Sequence, residues 1–454
     1  MSVSLSPALV QKYNTQGPRY TSYPTALEFI PNDSPTALVE AFATCTTKDF
    51  SLYVHIPFCH ALCYYCGCNK IVTRHQDKAD RYLDFLAREM QATQTLMTSK
   101  SVEQCHLGGG TPTFLTITQM TRLVGLLRAH YNFSEQCEWS IEIDPRSVNE
   151  AYLSALYALG FSRISLGVQD VDSAVQTAIN RTQSTEHVAN LIRHAQNIGF
   201  SSVNIDLIYG LPKQTPETFT QTLEAVKAFA PERISLFSYA HLPTRFAAQR
   251  KIKDDWLPSP TQKAELMAMA HTFLQDLGYQ MIGMDHFAQT EDTLAVALAN
   301  KVLHRNFQGY TTHKHLDMLG LGVSSISFIG DRYVQNSKTL NTYYGALSAG
   351  RLAVEKTLHL EKDDHIRRAV IMGLMCNLQV DKQDIERSFD IHFASYFAEA
   401  ERLLDPFMND GLLTVDTRWI KVHPEARLLI RSIAMCFDAY MGLSKNHQRF
   451  SRVI

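Results

Sequence analysis

Between about residues 50 and 240, short β-branched runs alternate with longer stretches whose apolar positions recur at helical spacing. The runs Ser51–Pro57, Val102–Gly108, Glu138–Asp144, Arg163–Gln169, Val203–Gly210 and Arg233–Tyr239 read as strands. Their starts lie 51, 36, 25, 40 and 30 residues apart, the spacing of repeated βα units in a parallel sheet. In Asp77–Met97 the residues Tyr82, Leu83, Leu86 and Met90 share one stripe, and Ser184–Gly199 opens on an N-cap Ser and closes on Gly. Six such units leave a doubly wound open sheet or a barrel, complete or partial. Polar residues end the strands repeatedly (Glu142 and Asp144, Gln169 and Asp170, Asp206), and in a barrel they converge on one mouth. The expected fold is therefore α/β, a partial TIM-like (β/α)6 barrel.

Beyond residue 240 the pattern is less regular. A helix is expected at Thr261–Gly278 and a strand at Tyr279–Phe287. After Leu352 the expectation is helices at Asp363–Asn377 and Asp381–Asp390, a hairpin in Gly411–Val422, and a helix over Pro424–Met441. This divides the chain into an N-terminal arm (1–35), a barrel domain (36–350) and a smaller, mainly helical C-terminal domain (351–454). The tail is vaguely winged-helix-like; without a dense basic face, a packing or lid role is favoured over DNA binding.

Composition narrows the class. Of 454 residues 45% are hydrophobic and 19% charged, and 43 Lys and Arg against 45 Asp and Glu give a net charge of −2. That excludes a disordered chain and argues against a nucleic-acid partner. Met1–Gly17 has no apolar signal-like core, and no run of about 18 apolar residues occurs, so a cytoplasmic protein without a membrane partner is expected.

Nine cysteines, an odd number, suit a reducing compartment, and four fall between residues 59 and 68. Cys59, Cys63 and Cys66 follow the first strand with C-x3-C-x2-C spacing. Three thiolates so placed can hold three irons of a cubane cluster and leave the fourth open to another ligand. Catalytic zinc on the same three thiols is the competing chemistry; a structural zinc site would call for a fourth ligand. The second strand ends in Gly108-Gly109-Gly110-Thr111-Pro112, where missing Cβ atoms let backbone approach a ligand, without the pattern of a P-loop or a Rossmann turn. His304, His313 and His315 look ligand-like on paper, but their spacing fits no helix face, and surface or supporting roles are favoured.

The cysteine spacing on this loop, Tyr65 before the third cysteine, and the glycine run resemble the radical S-adenosylmethionine (SAM) superfamily. Within it, the resemblance extends over nearly the whole chain to the family of oxygen-independent coproporphyrinogen III oxidases, or coproporphyrinogen dehydrogenases. It is carried by Arg19–Thr25, Cys66–Lys70, Ile141–Pro145, Gly167–Asp170, Asn204–Pro212, Asn306–Tyr310 and Gly320–Ser325.

The resemblance implies a [4Fe–4S] cluster on Cys59, Cys63 and Cys66 and two bound SAM molecules. It implies SAM contacts for Tyr53, Tyr65, Gly109, Gly110, Thr111, Glu142, Gln169, Arg181, Asp206, Ala240 and Ile326. Cys68, Phe307 and Gln308 would lie beside the reacting centre. The implied reaction turns two propionates of coproporphyrinogen III into vinyl groups, giving protoporphyrinogen IX in haem biosynthesis. The implied partners are that substrate and a reductant protein such as flavodoxin or ferredoxin, acting on a monomer. Arg19, Lys70 and Arg74 are candidate cations for the substrate carboxylates, and the arm Arg19–Thr25 is expected to close over the barrel mouth. A related haem-binding trafficking protein is the alternative; Cys68 and the arm argue for the enzyme.

Overall fold

A computed structural model of the chain describes residues 7–32, 34–313, 316–441 and 450. All six expected strands form: β1 (Asp49–Ile56), β2 (Ser101–Gly109), β3 (Phe133–Ile143), β4 (Arg163–Gln169), β5 (Ser202–Tyr209) and β6 (Arg233–Ser238). Only β3 departs by more than two residues, starting at Phe133, where Ser134 donates to Glu103 of β2 at 2.7 Å and extends the pairing. The strands pair in parallel in chain order, and Leu52, Ile141, Leu166, Ile205 and Ile234 are among the apolar residues they bury. The order does not close on itself, so the barrel is incomplete.

A seventh parallel strand, β7 (Asp317–Leu321), pairs with the outer side of β1, Leu319 lying opposite Leu52. An antiparallel series follows, Ile326–Ile329, Arg332–Asn336 and Val354–His359. None of these four strands is marked in the sequence. Every residue of β7 is buried, so the two-residue alternation that marks a strand in sequence is missing.

Helices α1 (Asp77–Thr93), α2 (Ile117–His130), α3 (Glu150–Ala158), α4 (Thr185–Ile198) and α5 (Pro216–Phe229) connect the strands. Local chemistry sets their ends. Thr116 and Gln119 form a reciprocal capping box on α2, Ser184 Oγ accepts the His187 amide, and Gly199, at φ 102°, ends α4.

The chain divides into two compact units, each drawn from separated stretches and not from consecutive segments. The barrel unit comprises Phe29–Leu266 with His315–His359; the other comprises Met1–Glu28, Met267–Lys314 and Leu360–Ile454. Within the latter, the arm is bound to the C-terminal residues: Tyr20 and Tyr23 are fully buried, Tyr20 donates to Asp438 at 2.9 Å, and Arg431 donates to the carbonyls of Gly17 and Pro18. Arg19 is ion-paired with Asp285.

Two elements of this unit differ from expectation. Tyr279–Phe287 is a hairpin of Gln280–Gly283 and His286–Ala288, reversing at Met284 with φ 41°. Pro424–Met441 is three short pieces, Pro424–Leu429, Ile430–Ala434 and Met435–Phe437, and Arg367 takes up the Phe437 carbonyl at 3.0 Å in place of a continuing turn.

In the barrel unit a buried acid ties distant segments together. Glu89 on α1 accepts from the Gly322 amide (2.7 Å), from Asn336 (2.6 Å) and from Tyr343 (2.6 Å) on α6 (Leu340–Ser348). Burial pushes its carboxyl above the usual range. Its neighbour Tyr82 donates to the His55 carbonyl at 2.7 Å and accepts the Val323 amide at 3.0 Å, linking β1 to the loop after β7. Glu89→Ala would strand three buried donors. It is expected to cost about 2–4 kcal/mol of stability, seen as a lower melting temperature, whereas Glu89→Gln should retain part of the network.

Candidate active site

The cysteine loop leaves β1 through Phe58–Cys59, which pairs with Ile71–Val72, so its two ends are held side by side. Its middle is anchored from outside: the Tyr64 amide donates to the Ile179 carbonyl, Asn180 to the Leu62 carbonyl, and Gln249 to the carbonyls of Tyr65 and Ala240. Cys59 and Cys63 are buried, Cys66 is partly buried and Cys68 is exposed.

Each of the first two sulfurs has donors. Thr111 Oγ1 donates to Cys59 Sγ at 3.3 Å, and Arg146 Nη2 and Arg181 Nη1 each reach Cys63 Sγ at 3.5 Å. Asp144 orients both guanidiniums, at 2.7 Å from Arg146 and 3.2 Å from Arg181. Burial works to raise its pKa, but Arg181 and Arg146 together hold it below the usual carboxylate value. Lys70 donates to the Cys66 carbonyl at 3.0 Å. The thiol of Cys68, hydrogen-bonded to Cys66, and Lys70 bring Cys66 down to about 6, while burial pushes Cys59 up to about 11.

At the end of β2, Gly109 has φ 115° and its amide donates to Glu142 at 3.1 Å. A Cβ on Gly110 would lie 2.7 Å from the Pro57 carbonyl, so only glycine permits this approach of the two strand ends. Glu142 also faces His106 at 3.6 Å; His106 stacks on Tyr53, whose hydroxyl meets His55 at 3.1 Å. Gln169 ends β4 at φ 67°, and Asp206 on β5 is held by Asn204 (2.9 Å) and Ser165 (3.2 Å). Burial, then the charge of Glu142, raises Asp206 to about 6.

The barrel unit thus contains Cys59, Cys63, Cys66, Cys68, Tyr53, Tyr65, Gly109, Gly110, Thr111, Glu142, Gln169, Arg181, Asp206, Ala240 and Ile326. Phe307 and Gln308 belong to the other unit, on the turn joining His304–Asn306 to Gly309–Thr311. Arg146 is not singled out by the sequence, although it directly follows the Ile141–Pro145 segment; a cation two residues past the strand-end Asp144 was the signal available.

The donor set fits a [4Fe–4S] cluster: three thiols from one loop, two of them facing hydrogen-bond donors of the kind that support charge on cluster sulfurs. Among the described residues, no three His, Cys, Asp or Glu side chains surround a single ion position. His315 lies outside the described residues.

An incomplete parallel barrel with three cysteines on its first loop is the arrangement of the radical SAM enzymes, whose chemistry uses SAM and a [4Fe–4S] cluster. The Radical SAM superfamily matches residues 53–226, and the HemN C-terminal domain matches residues 360–429. The chain is 54% identical over 447 residues to the oxygen-independent coproporphyrinogen III oxidase of Escherichia coli (strain K12), covering 98% of each chain, and 48% identical over 451 residues to that of Pseudomonas aeruginosa, again 98% of each. The solved structure of coproporphyrinogen III oxidase (HemN) from Escherichia coli, described as a radical SAM enzyme, superposes with a TM-score of 0.94 at 52% identity, covering 97% of this chain and 100% of that one. The chain belongs to the family of oxygen-independent coproporphyrinogen III oxidases.

Single Ala substitutions of Cys59, Cys63 and Cys66 are expected to abolish bound iron and sulfide, while Cys68→Ala retains them; a Cys68→Ala protein without iron would contradict this ligand set. Arg146→Gln is expected to make the cluster harder to reduce, because a ligating sulfur that loses a cationic donor supports the added electron less well. The midpoint should move to a more negative potential in an EPR-monitored redox titration.

Proposed function

We propose that this enzyme oxidatively decarboxylates two propionates of coproporphyrinogen III without oxygen, giving protoporphyrinogen IX. The observation that carries the reading is identity of about half, over 98% of the length of both chains, to two relatives named oxygen-independent coproporphyrinogen III oxidase, with Cys68 and the Arg19–Thr25 segment both present. Nothing in the chain favours the haem-trafficking alternative.

Cys59, Cys63 and Cys66 would hold the cluster, which with SAM would supply the radical that removes a hydrogen atom. Each propionate would give up one β-hydrogen atom, carbon dioxide and one electron to an acceptor, which leaves a vinyl group with atoms and charge balanced.

The chain's own part is to bind and orient. In this reading Gly109 and Gly110 bring backbone close to the methionyl end of SAM, Thr111 supports Cys59, and Glu142, Gln169, Arg181 and Asp206 hold polar groups of two SAM molecules. Tyr53, Tyr65, Ala240 and Ile326 line their apolar parts. Cys68, Phe307 and Gln308 stand next to the substrate. A small acidic reductant such as flavodoxin or ferredoxin delivers the electrons to a cytoplasmic monomer. No helix of the described residues is long and apolar enough to cross a membrane.

Reconstituted protein incubated anaerobically with SAM, a reductant and coproporphyrinogen III should yield a product lighter by two molecules of carbon dioxide and four hydrogen atoms, that is, by two units of formic acid. A product of unchanged mass would refute the reading. Cys68→Ser and Gln308→Ala should keep their iron and lose most of this turnover. Near-wild-type product from both would remove them from the reacting centre.

A further inference from the structure

One guanidinium in the non-barrel unit is buried without a partner. Arg305 occupies the middle of His304–Asn306, directly across the hairpin from Tyr310, and only 4% of it is exposed. Its Nε and Nη1 atoms are buried and donate to no acceptor, and among the described residues no carboxylate pairs with it. The guanidinium carbon lies over the face of Tyr310, 4.5 Å from the ring centre. Tyr310 is itself fixed: its hydroxyl donates to the Met375 carbonyl at 3.3 Å and lies against Gly283, where a Cβ would collide with it.

Two other arginines of this unit, half-buried Arg427 and buried Arg431, are treated differently. Arg427 donates to the carbonyls of Met281 and Ile282, and Arg431 to those of Gly17 and Pro18. Asp285, whose charge acts on Tyr310, is engaged by Arg19. His286, edge-on to the Tyr310 ring at 5.2 Å, offers no negative charge; burial, then Arg305, lowers it to about 3, so it stays neutral. An aromatic face can hold a guanidinium plane, but it leaves the in-plane N–H groups unsatisfied. A buried cation in that state costs folding free energy that a bound anion recovers. The planar fork of donors selects a carboxylate, taken in bidentate fashion.

We propose that Arg305 is a carboxylate-binding residue, its guanidinium seated on Tyr310 and completed by an organic carboxylate of a reactant. The inference rests on the proposed reaction, which supplies two such groups: the propionates of the tetrapyrrole and the methionyl carboxylate of SAM. The hairpin turn that follows Arg305 carries Phe307 and Gln308, so one short element would bring together an anion anchor, an apolar ring and an amide.

The test uses reconstituted full-length protein carrying Arg305→Met or Arg305→Lys. Binding of coproporphyrin III, the stable oxidised tetracarboxylate, is read by fluorescence, and binding of SAM by equilibrium dialysis. Arg305→Met should keep its iron, melt no lower than wild type because it removes an unpaired buried charge, and lose at least tenfold affinity for one ligand. Arg305→Lys, with charge but no fork, should fall between. Weakened porphyrin binding assigns the anchor to a propionate, and weakened SAM binding assigns it to the methionyl carboxylate. Wild-type affinity for both ligands in either folded variant overturns the proposal, as does a lower melting temperature of Arg305→Met with unchanged binding by Arg305→Lys. A wild-type protein that makes no vinyl product, yet binds either ligand through Arg305, keeps this inference and sinks the functional reading.

Discussion

The site is organised around one carboxylate. Asp144, at the end of β3, sits half-buried between two guanidiniums, and both of those reach the same sulfur, Cys63. Arg181 also donates to the Gly167 carbonyl at 2.6 Å, so the ends of β3 and β4 and the cysteine loop share a single charged joint. Buried Arg181 and half-buried Arg146 facing one thiol would be costly without the acid between them. Removing the acid would leave two like charges at one sulfur. The arrangement would also suit a thiolate bound to a cluster, whose negative charge these donors would stabilise.

Behind that joint, a second and purely structural network holds the first strand. Glu89 and Tyr82 on α1 secure the loop after β7 and the His55 carbonyl at the end of β1. His55 in turn meets the Asn69 carbonyl at 3.1 Å, at the far end of the cysteine loop. The loop is therefore held at both ends by strand and helix backbone, which leaves its thiols and not its main chain to meet a cofactor. Ligands placed on rigid elements keep the geometry that radical chemistry needs.

The unit formed by the arm, Met267–Lys314 and the C-terminal stretch follows another logic. Its buried Arg431 donates to the backbone carbonyls of Gly17 and Pro18, which fastens the arm to the C-terminal residues. Tyr13 stacks on Phe407 at 4.3 Å and Tyr23 meets Tyr440 edge-on at 6.0 Å, adding apolar contact to the same join. An arm so engaged is part of the unit's own core. That is why its Arg and Tyr residues read in sequence as free binding groups while their side chains are largely spent on packing.

Much of the barrel was legible in the chain itself. Strand and helix periods are local, so β1, β2 and β4–β6 emerged within two residues, and Ser184 and Gly199 marked the ends of α4. The cysteine spacing was legible because three thiols on one loop need no distant partner; it left a cluster and catalytic zinc both open, and the family resemblance pointed to the cluster. What depended on distance was hidden. β7 was invisible because a strand buried on both faces has no alternation, and the Tyr279–Phe287 stretch folds back on itself at a residue with positive φ that no local pattern marks. The partners of Glu89 lie 233 to 254 residues away, and Arg181 lies 37 residues from the acid that orients it. Arg305 shows the same division: its sequence says only that a cation is present, and whether that cation is solvated, paired or left waiting is decided by which side chains the fold brings to it, because burial changes the free energy of a charge far more than local sequence does.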